Sequence, residues 1–183
     1  MNKQPAVFLD RDGVVIENQS DYVKSWDEVH FIPGALEALK KLAGSSYLVI
    51  FVTNQSAVGR GIMAMEEVLA INRQVIVTIN RNGGRIDGVY ICPHRPDEDC
   101  NCRKPKPGLL LQAAEELRVD LSRSYLVGDA LSDLQAANTA GVAGILVLTG
   151  RGQDQASMLH GTEGYRIVAD LQAAVDYILS VKD

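Results

Sequence analysis

Two carboxylates, Asp10 and Asp12, stand two residues apart directly after the apolar run Ala6–Leu9. The run predicts a buried strand, and Gly13 lets the chain turn sharply beyond the strand end. Carboxylates at this spacing can share one cation, because their repulsion is tolerated only where a metal ion or a basic group neutralises it. We therefore predict a phosphoryl-transfer site here, with a solvated acidic turn as the alternative.

Polar side chains follow two further predicted strands. Thr53, Asn54 and Gln55 come at the end of the second apolar run, and Asp129 ends the fourth. Asp133 comes one helical turn later, a position that also suits a purely structural capping charge. In parallel α/β sheets the carboxyl ends of the strands form the ligand-binding edge. We expect these side chains to converge on the two carboxylates of the first strand.

The three cysteines of the chain lie close to a histidine, and the four residues Cys92, His94, Cys100 and Cys102 span eleven positions. Three thiolates and an imidazole match the ligands of a closed tetrahedral zinc site in type and number. A disulfide within Cys-x-Cys would be strained and does not suit a reducing compartment. We predict a structural Zn²⁺ that fixes the backbone of the residues that follow, beginning with Arg103.

Short apolar runs alternate with helical periodicities along the chain. Strands are predicted over residues 6–10, 47–53, 88–92, 124–129, 144–149 and 166–168, with amphipathic helices between them and after the last. Nearly continuous apolar strands separated by helices indicate an α/β fold with a parallel sheet covered on both faces. No repeat and no long linker interrupts the pattern, so we expect a single domain over residues 1–183.

Composition narrows the classes of partner. The chain has 183 residues, of which 46% are hydrophobic, enough for one substantial core. Its net charge of −5 argues against nucleic-acid and membrane-surface partners, which require clustered Lys and Arg, but a small anionic substrate could still occupy a local basic pocket. No apolar run reaches membrane-spanning length and no secretory leader is recognisable, so we expect a cytoplasmic protein.

Four segments resemble, in order, the four motifs of the haloacid dehalogenase (HAD) superfamily of phosphotransferases. They are Asp10-Arg11-Asp12-Gly13, Thr53-Asn54, Lys104, and Gly128-Asp129 with Asp133. The resemblance covers residues 6–150 and implies a Rossmann-like (HAD-like) fold with a catalytic Mg²⁺, a hard cation suited to oxygen ligands. The implied ligands are the side chains of Asp10 and Asp129 and the main-chain carbonyl of Asp12, with Asp133 outside the direct ligands.

The resemblance also implies a role for each remaining motif residue. Asp10 would attack phosphorus and form an aspartyl-phosphate, and Asp12 would protonate the leaving oxygen and later deprotonate the attacking water. Thr53 and the amide of Asn54 would bind the phosphoryl oxygens. Lys104 would offset the charge of the nucleophile and of the transferred group.

The cysteine–histidine cluster resembles the zinc loop of one branch of this superfamily, whose members dephosphorylate heptose bisphosphates or histidinol phosphate. Of these two groups, the chain resembles the heptose-bisphosphate members more closely. That resemblance implies a monomeric phosphatase that removes the 7-phosphate of D-glycero-D-manno-heptose 1,7-bisphosphate, a step towards ADP-heptose and the lipopolysaccharide core. Arg103, a planar donor, suits a second phosphate or sugar hydroxyls, and Gln55 and Arg60 are further candidate substrate ligands. Ala130 departs from the pattern, because relatives often carry a polar or charged residue there.

Two alternatives stay open. A histidinol-phosphate phosphatase would use the same nucleophile and zinc loop but would need no site for a second phosphate. A non-catalytic binding module could retain the fold and the zinc, although it would need no acid/base beside a nucleophile. No large insertion separates the early motifs, so we expect no cap domain and a pocket shaped by the zinc loop 92–102 and the loop 18–31.

Overall fold

The computed structural model describes residues 3–159 and 165–181 and places six parallel strands in one sheet, in the order β3-β2-β1-β4-β5-β6. The strands are β1 (Ala6–Leu9), β2 (Leu48–Asn54), β3 (Gly88–Cys92), β4 (Tyr125–Gly128), β5 (Ala143–Val147) and β6 (Arg166–Val168). All six predicted strands are present, with ends that differ from prediction by at most two residues. The prediction of a parallel α/β sheet is confirmed.

The order of the strands reverses at the centre of the sheet. The chain runs outward from β1 through β2 to β3, and then crosses back to place β4 on the other side of β1. Leu9 pairs with Phe51 of β2 and with Val127 of β4, so the three strands end side by side. This reversal leaves a crevice beyond the carboxyl ends of β1 and β4, where open α/β sheets bind ligands.

Helices cover the sheet on both faces, as predicted. They are α1 (Ala35–Ala43), α2 (Ser56–Gly59), α3 (Met65–Arg81), α4 (Gly108–Glu116), α5 (Leu131–Ala140), α6 (Gly152–Ser157) and α7 (Leu171–Ser180). The two shortest, α2 and α6, were not expected, because four and six residues are too few to show a helical periodicity.

The alternation of side chains along β1 divides the core into two clusters. Val7 and Leu9 face one cluster together with apolar residues of α1, α3 and α7, whereas Ala6 and Phe8 face the other with α4 and α5. All four side chains are fully buried. Because both faces of this central strand are covered, the position of β1 is tightly fixed. The residues that directly follow it, beginning with Asp10, are therefore also held in place.

Glycines permit unusually close packing at the edge where the strands end. Gly13 has a φ of +83°, and a Cβ there would overlap the carboxylate of Asp129. A Cβ on Gly128, at the tip of β4, would overlap the side chain of Asp133. The first turn of α5 and the turn after β1 can therefore approach the strand tips more closely than any residue with a side chain would allow.

The connection from β1 to α1 lies against the crevice without forming a domain of its own. It is held by an antiparallel bridge between Ile16 and Phe31 and contains only a single 3₁₀ turn, Trp26–Glu28. Over residues 3–159 and 165–181 no separate cap domain is present, which agrees with the sequence-based expectation. In the same ranges, no helix combines the length and the apolar character required to cross a membrane.

Candidate active site

Three buried carboxylates meet at the point where the strand order reverses. Asp10 follows β1, Asp129 follows β4, and Asp133 lies in the first turn of α5, and one carboxylate oxygen of each lies within 4.8 Å of the other two. Burial raises the pKa of Asp10 to about 7, with the ammonium of Lys104 opposing the shift and the neighbouring carboxylates adding to it. So much negative charge in a buried space is stable only beside cations.

Lys104, two residues after the last cysteine of the zinc loop, supplies a positive charge to these carboxylates. Its Nζ lies 3.1 Å from Asp10 Oδ2 and 2.6 Å from Asp133 Oδ1, and it donates to the main-chain oxygen of Val52 at 2.8 Å. The residue is 2% exposed. Burial alone would lower the pKa of Lys104, but the two carboxylates outweigh burial and raise it, so the amine stays protonated.

Asp133 serves both the lysine and the helix that carries it. Besides its ion pair with Lys104, its Oδ2 accepts a hydrogen bond from the main-chain N–H of Ala130 at 3.1 Å, which caps α5. The structural capping role and the functional one are therefore combined in one carboxylate. Its place outside the direct metal ligands stays a prediction.

Asn54 ties the end of β2 to the main chain of Lys104. Its Oδ1 accepts from the N–H of Lys104 at 3.2 Å, and its Nδ2 donates to the carbonyl of the same residue at 3.1 Å. Both polar atoms of the Asn54 carboxamide thus bind the main chain of one residue, through its N–H and its C=O. The side chain positions the lysine, while the main-chain amide of Asn54 remains the predicted phosphoryl ligand.

Asp12 is held by two neighbours. Arg11 donates from Nε and Nη2 to its two oxygens at 3.1 and 3.0 Å, and Gln55 Nε2 donates to Oδ2 at 2.7 Å. Gln55 also donates to Thr53 Oγ1 at 2.9 Å. Gln55 is 4% exposed and directs its donors to the protein, so its predicted contact with substrate would have to come from its oxygen or after a rearrangement.

Two residues that sequence analysis missed converge on Asp129. Asn18 Nδ2 donates to Asp129 Oδ2 at 2.7 Å, and Arg151 contacts the same carboxylate through its main-chain N–H at 2.9 Å and through Nη2 at 3.2 Å. Arg151 follows β5, at the same edge of the sheet as the predicted residues. Its place at the end of a predicted strand was the signal available in the sequence.

The oxygen-rich cluster fits a hard divalent cation. Asp129 is completely buried, Asp10 is 6% exposed, and donors from Asn18 and Arg151 now satisfy the carboxylate that a cation would share. Carboxylate and carbonyl oxygens suit Mg²⁺ rather than a soft metal.

The four zinc-loop side chains come together as the sequence predicts. Sγ of Cys100 lies 3.6 Å from Sγ of Cys92 and 3.5 Å from Sγ of Cys102, and Nδ1 of His94 lies 3.6 and 3.3 Å from Cys92 and Cys102. A tetrahedral Zn²⁺ with ordinary bond lengths keeps its ligand atoms about 3.5–3.8 Å apart. Burial raises the pKa of the Cys92 thiol, so a bound cation would be needed to hold it as a thiolate.

The zinc loop is joined to the active-site edge at several points. Cys92 ends β3, and its carbonyl accepts from the N–H of Gln55 at 2.7 Å. The N–H of Gly59 donates to the carbonyl of Pro93 at 2.9 Å, and Arg103 Nη1 donates to the carbonyl of His94 at 3.2 Å. The loop therefore carries Arg103 and Lys104 to the edge on a short and well-connected path.

A cavity of about 640 Å³ opens above the carboxylates. Asp10, Asp12 and Lys104 lie at its base, whereas Thr53 and Asp129 are more deeply buried and do not line it. Its walls carry the side chains of Arg60, Arg103 and Arg151, with Tyr22 and Val23 from the loop after β1. The cavity is basic although the chain is acidic, as a site for an anionic ligand requires.

We predict that Lys104→Met lowers the free energy of unfolding by about 3–5 kcal/mol, because it leaves buried carboxylates without their partner. Lys106→Met is the matched control, since it removes an ammonium whose ion pair with Asp99 is exposed to solvent and should change stability little. Urea unfolding of both variants measures the difference. Equal midpoints would show that the buried carboxylates do not need the lysine.

Comparisons with known proteins agree with this geometry. A family model described as HAD-hydrolase-like matches residues 101–174. The D-glycero-beta-D-manno-heptose-1,7-bisphosphate 7-phosphatase of Bordetella bronchiseptica is 40% identical, with 94% of this chain and 97% of that protein covered. The protein of the same name from Yersinia pestis is 38% identical, with coverages of 96% and 90%.

A solved structure gives the same result. The crystal structure of D,D-heptose 1,7-bisphosphate phosphatase from B. bronchiseptica, complexed with magnesium and phosphate, superposes with a TM-score of 0.91 and 39% identity, covering 96% of this chain and 98% of that one. Identity at this level over nearly the whole length accompanies the same fold. The chain therefore belongs to the HAD-like family of D-glycero-beta-D-manno-heptose-1,7-bisphosphate 7-phosphatases, which are phosphoric monoester hydrolases.

Proposed function

We propose that this protein hydrolyses the 7-phosphate of D-glycero-D-manno-heptose 1,7-bisphosphate through an aspartyl-phosphate on Asp10. The observation that carries the proposal is the position of Asp10 and Asp12 at the base of a cavity whose walls are lined with arginine side chains. The names of relatives that match almost the whole chain support the choice of substrate.

The proposed reaction uses two carboxylates in different roles. Asp10 attacks phosphorus in line with the leaving oxygen, and the P–O bond to the sugar breaks as Asp12 delivers a proton to that oxygen. Water then attacks the aspartyl-phosphate, gives its proton to Asp12, and releases phosphate with Asp10 restored. Thr53 and the main-chain N–H of Asn54 bind phosphoryl oxygens, and Lys104 favours the ionised form of Asp10 and stabilises the transferred charge.

A magnesium ion fits the same site. Asp10, Asp129 and the main-chain carbonyl of Asp12 would hold it, and when bound it would neutralise charge on the phosphoryl oxygens. Arg151 and Asn18 now engage Asp129, so we propose that they yield at least one carboxylate oxygen when the ion binds. The magnesium named with the relative from B. bronchiseptica supports this proposal.

Arg103 is our candidate ligand for the second phosphate. It is partly exposed in the cavity wall, and the link from its Nη1 to His94 leaves other guanidinium donors to face a ligand. Arg60 lies on the exposed part of the same wall. Because Ala130 offers no charged contact, these two arginines are our candidates for the groups that favour a bisphosphate over histidinol phosphate in this chain.

We propose that Cys92, His94, Cys100 and Cys102 bind one structural Zn²⁺. Three reduced cysteines that serve as metal ligands favour a cytoplasmic location. We also propose that the protein is a monomer, as the family resemblance implies. The chain would fold as one domain over residues 1–183, since the six strands of the described residues form one sheet.

The first test is phosphate release from a panel of substrates in Mg²⁺. We expect heptose 1,7-bisphosphate to give the highest kcat/KM, above sugar monophosphates and histidinol phosphate. Asp10→Asn should abolish turnover of every substrate while the protein stays folded, because the amide keeps the shape of the side chain but cannot attack phosphorus. A higher kcat/KM for histidinol phosphate would refute the substrate, and normal turnover by Asp10→Asn would refute the mechanism.

The second test concerns Arg103. We expect Arg103→Ala to reduce kcat/KM for the bisphosphate more than for a monophosphate, by about 1–3 kcal/mol in transition-state free energy, the usual scale for a charged hydrogen bond. Arg73→Ala, on the exposed face of α3, is the control and should affect neither substrate. Equal losses on both substrates would assign Arg103 to the transferred phosphoryl group or to the loop.

The third test concerns the two metals. Protein prepared without chelators should contain about one Zn²⁺ per chain, and Cys102→Ser should lower both zinc content and activity, since the loop then holds Arg103 and Lys104 less firmly. His30→Gln removes an exposed potential ligand outside the cluster and should keep the zinc. Elemental analysis measures the content. Turnover should also require added Mg²⁺. A protein without zinc would contradict the prediction of a zinc site, and a protein that is fully active in excess EDTA would contradict the requirement for Mg²⁺.

A further inference from the structure

Arg11, the residue between the two motif carboxylates, has a side chain that neither the resemblance nor the proposed mechanism uses. It is 1% exposed and is among the largest fully buried side chains of the protein. Its guanidinium meets both oxygens of Asp12, since Nε lies 3.1 Å from Oδ2 and Nη2 lies 2.9 Å from Oδ2 and 3.0 Å from Oδ1. This two-pronged contact fixes the plane of the carboxylate as well as its position.

The other end of the guanidinium is anchored to a different element. Arg11 Nη1 donates to Oδ1 of Asn72 at 2.7 Å, across 61 positions of sequence. Asn72 is 3% exposed on α3, between residues of the same helix that pack into the core. Its Nδ2 is buried without a hydrogen-bond partner among the described residues. Retaining such an amide on an apolar helix face is costly, which points to a purpose for its oxygen.

The contacts distinguish the two oxygens of Asp12. Oδ2 accepts from Arg11 and from Gln55, the latter at 2.7 Å, whereas Oδ1 accepts from Arg11 alone among the described residues. The Asp12 side chain is 20% exposed and lines the cavity. Oδ2 is therefore the anchored oxygen, and Oδ1 keeps a lone pair for a proton that is exchanged with the ligand.

We propose that Arg11 and Asn72 are positioning residues for the proton transfer by Asp12. Without the guanidinium, repulsion from Asp10, Asp129 and Asp133 would drive Asp12 away from the reacting oxygen. With the guanidinium in place, Asn72 on α3 holds the side chain of Arg11, and Arg11 in turn holds Oδ1 of Asp12 at the cavity. Misplacing a reacting group by about 1 Å can cost about 10²-fold in rate. The inference rests on the proposed role of Asp12 as general acid.

The dependence of rate on the leaving group tests this inference. In the first step, the Asp10 oxygen bonds to phosphorus, the P–O bond breaks, and an alkyl oxygen takes the proton of Asp12. The oxygen of p-nitrophenyl phosphate can leave as the phenolate and needs no proton. The measured quantity is the ratio of kcat/KM for the fastest alkyl phosphate of the substrate panel to kcat/KM for p-nitrophenyl phosphate.

Arg11→Lys keeps the positive charge but loses the two-pronged contact with Asp12, and we expect it to lower this ratio by about 10- to 100-fold. Asp12→Asn removes the acid itself and should lower the ratio by about 10²–10⁴-fold. Asn72→Leu should lower it about 10-fold, with little change for p-nitrophenyl phosphate. Asn80→Leu, an equivalent change at an exposed position of α3, should leave both rates unchanged.

The outcomes separate this inference from the proposed function. If Asp12→Asn lowers the ratio but Arg11→Lys and Asn72→Leu reduce both rates equally or neither, the positioning role is wrong. If Asp12→Asn itself leaves the ratio unchanged, the proposed function of Asp12 fails. Thermal unfolding checks that the variants fold, and Asn72→Leu decides the question if Arg11→Lys does not.

Discussion

The buried ammonium of Lys104, held between Asp10 and Asp133, makes the rest of the site possible. The reversal of strand order brings acidic side chains from β1, β4 and α5 into a space that water hardly reaches. Carboxylates this close would otherwise repel one another or take up protons, and a protonated Asp10 could not act as a nucleophile. Lys104 reduces that repulsion on one side of Asp10. The other side is left for a divalent cation and a phosphoryl group.

A lysine used in this way has to be delivered accurately, and no helix or strand carries it. Lys104 lies between the last zinc-loop cysteine and the start of α4. The Asn54 carboxamide binds the main-chain N–H and C=O of Lys104, and the cluster of Cys92, His94, Cys100 and Cys102 closes the loop just before it. Coordination of a metal by four side chains is a compact means of ordering a segment of this kind, because it needs no hydrophobic core of its own. A Zn²⁺ bound by these side chains would position Lys104 without taking part in the chemistry.

Local rigidity and local charge are both achieved at some cost to stability. Asn72 on the apolar face of α3 is incompletely satisfied, and Arg11 is buried where a hydrophobic residue would pack more easily. Both costs become intelligible if Asp12 must present one oxygen in a fixed direction. The cavity also places charge where the ligand needs it. Although the chain has a net charge of −5, its arginine side chains are concentrated where an anionic ligand would bind.

The features that sequence alone determined are those that depend on neighbours along the chain. The alternation of apolar runs and helical periodicities predicted the parallel sheet, and the short spacing of Cys92 to Cys102 predicted that the cysteines and His94 cluster. The polar residues after the strands marked the edge where Asp10 and Asp129 meet. Only the tertiary structure decided which partner each charge takes. The contact of Arg11 with Asn72 across 61 positions and that of Asn18 with Asp129 across 111 depend on the packing of α3 and of the loop after β1 against the sheet. Side-chain direction at such distances is set by strand register, by helix packing and by the close approach that Gly13 allows, and no local pattern in the sequence encodes it.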